Sequence, residues 1–436
     1  VRSQVWLTYV GLILVCSVLG CSGQRAALPA APASGTAAAP VDPGGGGSSS
    51  GGGATGPAVS PAAPSSGTST FSVGQYSASN FVNVVDGQAW PANFRPYCAN
   101  PAPNPSQPCP FNDRLPDNPS QLYADVNGTS AGMVASAFGG GSNEGPSKTT
   151  VWFYGQPQYG YDALQSPVYF AKASDPLVTV RCTQAANCFA GSSDGYTSVA
   201  YNGTVQVHVP VGAQPGCSGC DSNLAVVQPD GTEYDFWLWS QQGSTATAGA
   251  IAYGPITGEG TCSPGGCAAN GTMQAFISNS LRPDELAAGV IPHALSAVVP
   301  CASTNLPNGA IFPGSAAAGC NTNSNVAPPG ARWQLTLTDP QIDALNAAPW
   351  EKAILHAMHD YGVYTTQTIF GDHPTPGPFA LTWASPLQWT AFGQPNPWSS
   401  FNWSSPGNNG GVGMPPTNWH PGGINWASSL RIVAEC

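Results

Sequence analysis

Charge is what this chain has least of. Only 8% of its 436 residues are Asp, Glu, Lys or Arg, and the 11 lysines and arginines form no cluster. A nucleic-acid partner needs grouped cations to neutralise phosphates, so that class is excluded. The net charge of −11 disfavours an anionic polymer for the same reason. Metal and phosphate motifs are missing too. No H-E-x-x-H occurs, Cys217-x-x-Cys220 has no second pair to complete a zinc site, and the glycine runs at 139–141 and 410–413 lack a following Lys-Ser/Thr. Neither a cofactor nor a metal is expected. No period of 20–50 residues repeats, which argues against a propeller or a solenoid.

Glycine (53) and proline (44) are abundant instead. Both destabilise helix interiors and both suit turns, so the composition predicts a mainly β protein. The first part of the chain reads as an address. Arg2 precedes an apolar run, Val5–Leu19, too short to span a bilayer comfortably, which ends in Val18-Leu19-Gly20-Cys21. This is the layout of a secretory signal. Its end resembles the lipobox of bacterial lipoproteins, which implies lipidation at Cys21. Residues 22–70 are Ala, Pro, Gly and Ser, with GGGGSSSGGG at 44–53, and cannot bury enough apolar surface to fold. The expected division is a signal at 1–20, a lipidated tether at 21–70 and a β-rich domain or pair of domains at 71–436. Placement is then outside the cytoplasm, held to a bacterial membrane by lipid alone, with a monomer expected. Of the 13 cysteines, those beyond Cys16 and Cys21 suggest five close bridges: Cys98/Cys109, Cys182/Cys188, Cys217/Cys220, Cys262/Cys267 and Cys301/Cys320, with Cys436 left over.

Candidate strands recur along the domain, at Phe71–Asn83, Val151–Tyr154, Val168–Ala171, Val178–Cys182, Tyr196–Tyr201, Thr204–Val211, Ala331–Leu337 and Val363–Phe370. Thr338 caps a first helical turn. A second helix over Trp350–Tyr361 starts at Pro349 and stops before Gly362, with Trp350, Ile354, Met358 and Tyr361 as its apolar stripe. His356, His359 and Asp360 fall elsewhere on it. Six of the 13 tryptophans, from Trp383 to Trp426, stand among Pro, Gly and Asn, where some are expected to line a surface.

The stretch richest in chemistry is Asn223–Ser240, NLAVVQPDGTEYDFWLWS. Pro229-Asp230-Gly231 supplies a turn between two β-rich runs, so the unit reads as a hairpin. Alternation puts Tyr234, Phe236 and Leu238 on a core face, and Glu233, Asp235, Trp237 and Trp239 on the other. Two carboxylates beside two indoles suit the floor of a sugar groove. Residues two apart on a strand lie about 6.5–7 Å apart, within the range glycosidases use for an acid and its partner. The E-x-D strand resembles the carboxylate strand of laminarinase-type jelly-roll glycosidases without their further glutamate; Asp221 is a candidate for a second carboxylate. The bland alternative is that Asp235 bonds backbone beneath a loop. His293, in Pro-His-Ala-Leu, is a candidate catalytic base, and His208 shares a strand face with Gln206 and is a candidate for the same groove.

Four phrases resemble a family of uncharacterised exported bacterial proteins: PVYFAKASDP at 167–176, DSNLAVVQPDGTEYDFW at 221–237, RPDELAAGVIPHAL at 282–295, and PPGARWQLT with a helix ending DYG at 328–362. The resemblance implies export and a β-rich, jelly-roll-like domain, and it brings no activity with it. The reading is therefore an antiparallel β-sandwich of jelly-roll type with one or two short helices near 339–361. It recognises, and in one form cleaves, a polysaccharide or cell-wall glycan through Glu233, Asp235 and His293, with Trp237, Trp239, His208 and Asp221 binding. The alternative is a non-catalytic carbohydrate-binding or structural envelope protein.

Overall fold

The structure, a computed structural model, describes residues 84–85, 88–89, 110–115, 123–125, 130–138, 152–153, 166–189, 196–216, 221–256, 258, 260–261, 270–299, 302–303, 309–315, 326–368, 379–405 and 419–435. The proposed signal, Cys21, the tether and the strand expected at Phe71–Asn83 lie outside these residues. So do all the expected cysteine bridges but one: Cys182 is disulfide-bonded to Cys188.

The chain is rich in sheet and poor in helix. A five-stranded sheet runs in the order Val168–Phe170, Leu224–Val227, Thr232–Trp237, Ala250–Pro255, Thr197–Ser198. A four-stranded sheet has the order Ser240–Gln242, Thr245–Ala248, Leu177–Cys182, Thr204–His208. A seven-stranded sheet has Arg332–Leu335, Val363–Thr368 and Leu295–Val299 at its centre. Pairing is mixed where mainly antiparallel pairing is expected. Leu295–Val299 runs parallel to Val363–Thr368, Val168–Phe170 to Leu224–Val227, Thr245–Ala248 to Leu177–Cys182, and Ala380–Leu381 to Trp152–Phe153.

The expected hairpin forms, with Val227 opposite Glu233 and Leu224 opposite Phe236. Its sheet is buried on both faces, which is why Leu224–Val227 has no exposed residue. Leu224, Val226, Phe236 and Ile251 pack with Val178, Val180 and Val207 of the four-stranded sheet. Ala225, Val227 and Ala252 face Phe276, Ile277 and Tyr364.

Both helices near 339–361 are present. Asp339–Asp343 begins after Thr338, whose backbone N–H donates to Gln341 Oε1 at 2.9 Å. Pro349–Asp360 begins where Glu351 Oε2 accepts from the Ala348 N–H at 2.6 Å. Gly362 ends it with φ 74°, where a Cβ would meet the Trp333 carbonyl oxygen at 2.8 Å. That helix and the carboxy-terminal tryptophans make one core. Trp389, Trp398, Trp403, Trp419 and Trp426 are each at most 1% exposed, and Trp383 8%. The expected surface role therefore fails for all but the edge of Trp383. The rings bury one another: Trp350 lies 5.0 Å from Trp403 and 6.1 Å from Trp419, centroid to centroid, and Trp383 lies 4.9 Å from Trp398. Indoles packed on one another, edge-on or stacked, remove their own surface from water without a regular strand or helix to carry them.

Candidate functional site

The 232–237 strand leaves its sheet at a corner. Leu238 takes φ 54°, and its N–H donates to the Asp221 carbonyl at 2.8 Å, while the Trp239 N–H reaches Ser222 at 3.0 Å. This break resets the alternation of side chains. Trp237 stays on the carboxylate side, half-buried, but Trp239 swings to the opposite one and packs on Phe236 with centroids 4.8 Å apart. Trp239 is thus a core residue, not part of a groove. The chain then makes the 240–248 hairpin in the second sheet and returns through Gly249. A Cβ there would lie 2.9 Å from Trp237 Cε3, so glycine lets the indole lie against the backbone.

Trp237 lines an open cleft of about 210 Å³ together with Asn187, Asp221, Asn223, Asn270 and Gln367. Its Nε1 donates to Asp221 Oδ1 at 3.1 Å. A smaller recess of about 50 Å³ shares Asn270 and Gln367, and adds Asn279, Ser296, Thr366 and the edge of Trp383. Among the described residues the two linings are mostly amides, hydroxyls and aromatic rings, with Asp221 their single ionisable side chain.

The wall between them is the 270–280 loop, and sequence reasoning missed it. Asn270 Oδ1 accepts from the N–H groups of Thr272 (3.0 Å) and Gln274 (3.1 Å), and Asn279 donates to Gln274 Oε1 at 3.1 Å. The Asn-x-Thr-x-Gln spacing is the one local sign of such a self-bonded turn. Its underside rests on Glu233 and Asp235. Ile277 N–H donates to Glu233 Oε1 at 3.1 Å, and Phe276 N–H to Asp235 Oδ2 at 3.2 Å. The Tyr196 hydroxyl donates to the same Asp235 oxygen at 3.1 Å. Both acids are 0% exposed. Burial first, and the charge of Glu233 second, push the Asp235 carboxyl well above the usual carboxylate range. In this arrangement the pair meets a loop and not the cleft: the groove-floor expectation gives way to a strand covered by 274–279.

His293 also lies in the interior, 3% exposed. Its Nδ1 faces the Ala294 carbonyl at 2.8 Å and its Nε2 faces Glu285 at 2.9 Å. Arg282 pairs with Glu285 from the other side. Burial alone would raise the Glu285 carboxyl; Arg282 and His293 outweigh it and hold it below its ordinary range. His208 sits in the four-stranded sheet, with Nδ1 2.7 Å from the Asp175 carbonyl and its backbone gripped on both sides by the Gln228 amide. It lines neither recess. The structure thus brings Trp237 and Asp221 together and leaves Trp239, His208 and His293 elsewhere.

Asp339, His359 and Asp360 offer ligand atoms within 4.8 Å of one another. Arg114 donates to Asp360 at 2.6 Å and stands 3.8 Å from Asp339, so a guanidinium already offsets part of this charge. His356 bridges Asp339 and Asp343 at 2.9 and 3.1 Å. Among the described residues no helix is long and apolar enough to cross a membrane. No known protein family, curated protein or solved structure matches the chain.

Proposed function

We propose that the protein binds a neutral glycan outside the cytoplasm, tethered to a bacterial membrane through Cys21, in the cleft beside Trp237. The observation that carries this is the cleft lining: among the described residues, amides around the Trp237 indole with Asp221 as the carboxylate, and hydroxyls in the recess beside it. Sugar rings present C–H faces that stack on an aromatic face and hydroxyls that need amide-like partners at the rim. The scaffold belongs to the same proposal, as a jelly-roll-like sandwich supported by the shared core of the five- and four-stranded sheets. It accords with the resemblance to exported bacterial proteins.

Binding has more support than cleavage. A glycosidase needs two carboxyl groups at the substrate, and among the described residues Asp221 is the one carboxylate in the lining while Glu233 and Asp235 lie under the loop. The test is a panel of bacterial, fungal and plant polysaccharides, scored for retention of the purified chain and for release of reducing or unsaturated sugars. Retention without release is the expected outcome. Release that survives Glu233→Gln would establish an enzyme with its centre elsewhere.

A further inference from the structure

The side chains of the 270–280 loop form a relay of hydrogen bonds that runs in one direction. It begins at Asn270, whose Oδ1 accepts from the backbone N–H groups of Thr272 and Gln274, at 3.0 and 3.1 Å. A backbone N–H can only donate, so the orientation of this amide is fixed. The Thr272 hydroxyl donates to the same oxygen at 3.0 Å, and Gln274 Nε2 donates to that hydroxyl at 3.0 Å. Asn279 Nδ2 then donates to Gln274 Oε1 at 3.1 Å. Each link sets the next, and the two ends are opposite in kind. Asn270 has its oxygen filled and presents an amide N–H. Asn279 has its nitrogen engaged and presents an oxygen. Asn279 is 2% exposed, and among the described residues its Oδ1 has no hydrogen-bond partner. Both ends stand in the wall of the smaller recess.

Resting on the glycan reading, we propose that the smaller recess is the subsite for an acetamido group, so that the glycan is built from N-acetylated sugars. An acetamido group is a secondary amide with a methyl end. Its N–H meets the Asn279 oxygen, its carbonyl oxygen meets the Asn270 N–H, and its methyl meets the Phe276 and Trp383 rings of the same wall. Size agrees with this chemistry. A cavity of about 150 Å³ takes a benzene ring, so a recess of about 50 Å³ takes two or three non-hydrogen atoms, an acetyl group and not a sugar ring. Asn270 and Gln367 border both the recess and the larger cleft, so a ring in the cleft can send a substituent across that border. A hydroxyl in place of the acetamido group is too short to serve both ends of the relay. A carboxylate would set an acceptor against the Asn279 oxygen.

The experiment titrates the full chain with two β-1,4 tetramers, one of N-acetylglucosamine and one of glucose, which differ only in acetamido against hydroxyl at C2. The wild type is expected to prefer the N-acetylated tetramer by about tenfold or more. An N-butanoyl tetramer, longer than the recess allows, is expected to lose that preference. Asn279→Leu, similar in size, removes the acceptor and is expected to abolish the preference while leaving the affinity for the glucose tetramer at its wild-type value. Near-ultraviolet circular dichroism checks its fold, and the wild-type comparison of the three tetramers stands without it. Equal affinity for the acetyl and hydroxyl tetramers would overturn the acetamido subsite and leave the glycan reading standing, as would binding confined to glycans without acetamido groups. A preference that persists in folded Asn279→Leu would place the acetamido group elsewhere and overturn the assignment. Silence across all glycans, with and without acetamido groups, would overturn both.

Discussion

The Trp237 indole is fixed to Asp221 by a 3.1 Å hydrogen bond spanning sixteen residues of chain. The aromatic face and the one carboxylate that the described residues give the cleft lining are thus one unit. Asp221→Asn keeps an oxygen for the indole and removes the charge. Neutral glycans are expected to bind it as they bind the wild type. Glycans carrying uronic acids are expected to gain, because the like charge facing them is gone. Calorimetric titration with a matched neutral and acidic oligosaccharide checks this; an acidic ligand that loses affinity would count against it.

Gly249 is the other support of that ring. A Cβ at 2.9 Å from Cε3 cannot be accommodated without moving the indole. Gly249→Ala is expected to weaken glycan binding by about tenfold, or ~1.4 kcal/mol. Near-ultraviolet circular dichroism should report a changed tryptophan environment in an otherwise folded chain.

Two buried acids push stability in opposite directions with pH. The Asp235 carboxyl is raised above its ordinary 3.8, so the folded chain binds the extra proton. Its contribution is complete below that value and is lost as pH rises through the folded-state pKa. The Glu285 carboxyl is held below its ordinary 4.5; its contribution is present above that value and is lost as pH falls through the folded one. Urea midpoints across pH are expected to improve on the alkaline side in Asp235→Asn. Removing the carboxyl in Glu285→Ala takes the buried ion pair from Arg282 and the Nε2 partner from His293, at a cost of about 3–5 kcal/mol. Asp235→Ala removes the acceptor of the Phe276 amide, at about 1–3 kcal/mol.

The carboxy-terminal tryptophans are core. Trp426 is fully buried against Trp419, with centroids 5.5 Å apart. Trp426→Ala is expected to cost about 3–5 kcal/mol. Glycan affinity measured well below its melting temperature should be unchanged.

The hairpin was legible in its turn residues, and the helix after Pro349 in its proline, its stripe and Gly362, because these signals are local. Four features were not. Leu238 adopts a left-handed backbone without being glycine or asparagine, so nothing in the sequence announced that Trp239 would change sides. The lid over Asp235 comes from Phe276, forty-one residues downstream, and short-range alternation carries no record of it. Mixed pairing follows from the same limit, since the parallel partners of Val363–Thr368 and Val168–Phe170 lie far along the chain. Tryptophans among Pro, Gly and Asn looked like surface because no period marked them as core; their packing is mutual instead of periodic.

The most direct measurement is equilibrium binding of the wild type and Trp237→Ala to a neutral-glycan panel, with Trp426→Ala as the control for fold. The account predicts at least one neutral glycan that the wild type and the control bind and Trp237→Ala does not. Wild-type binding that survives Trp237→Ala unchanged, or silence across the panel, would contradict it.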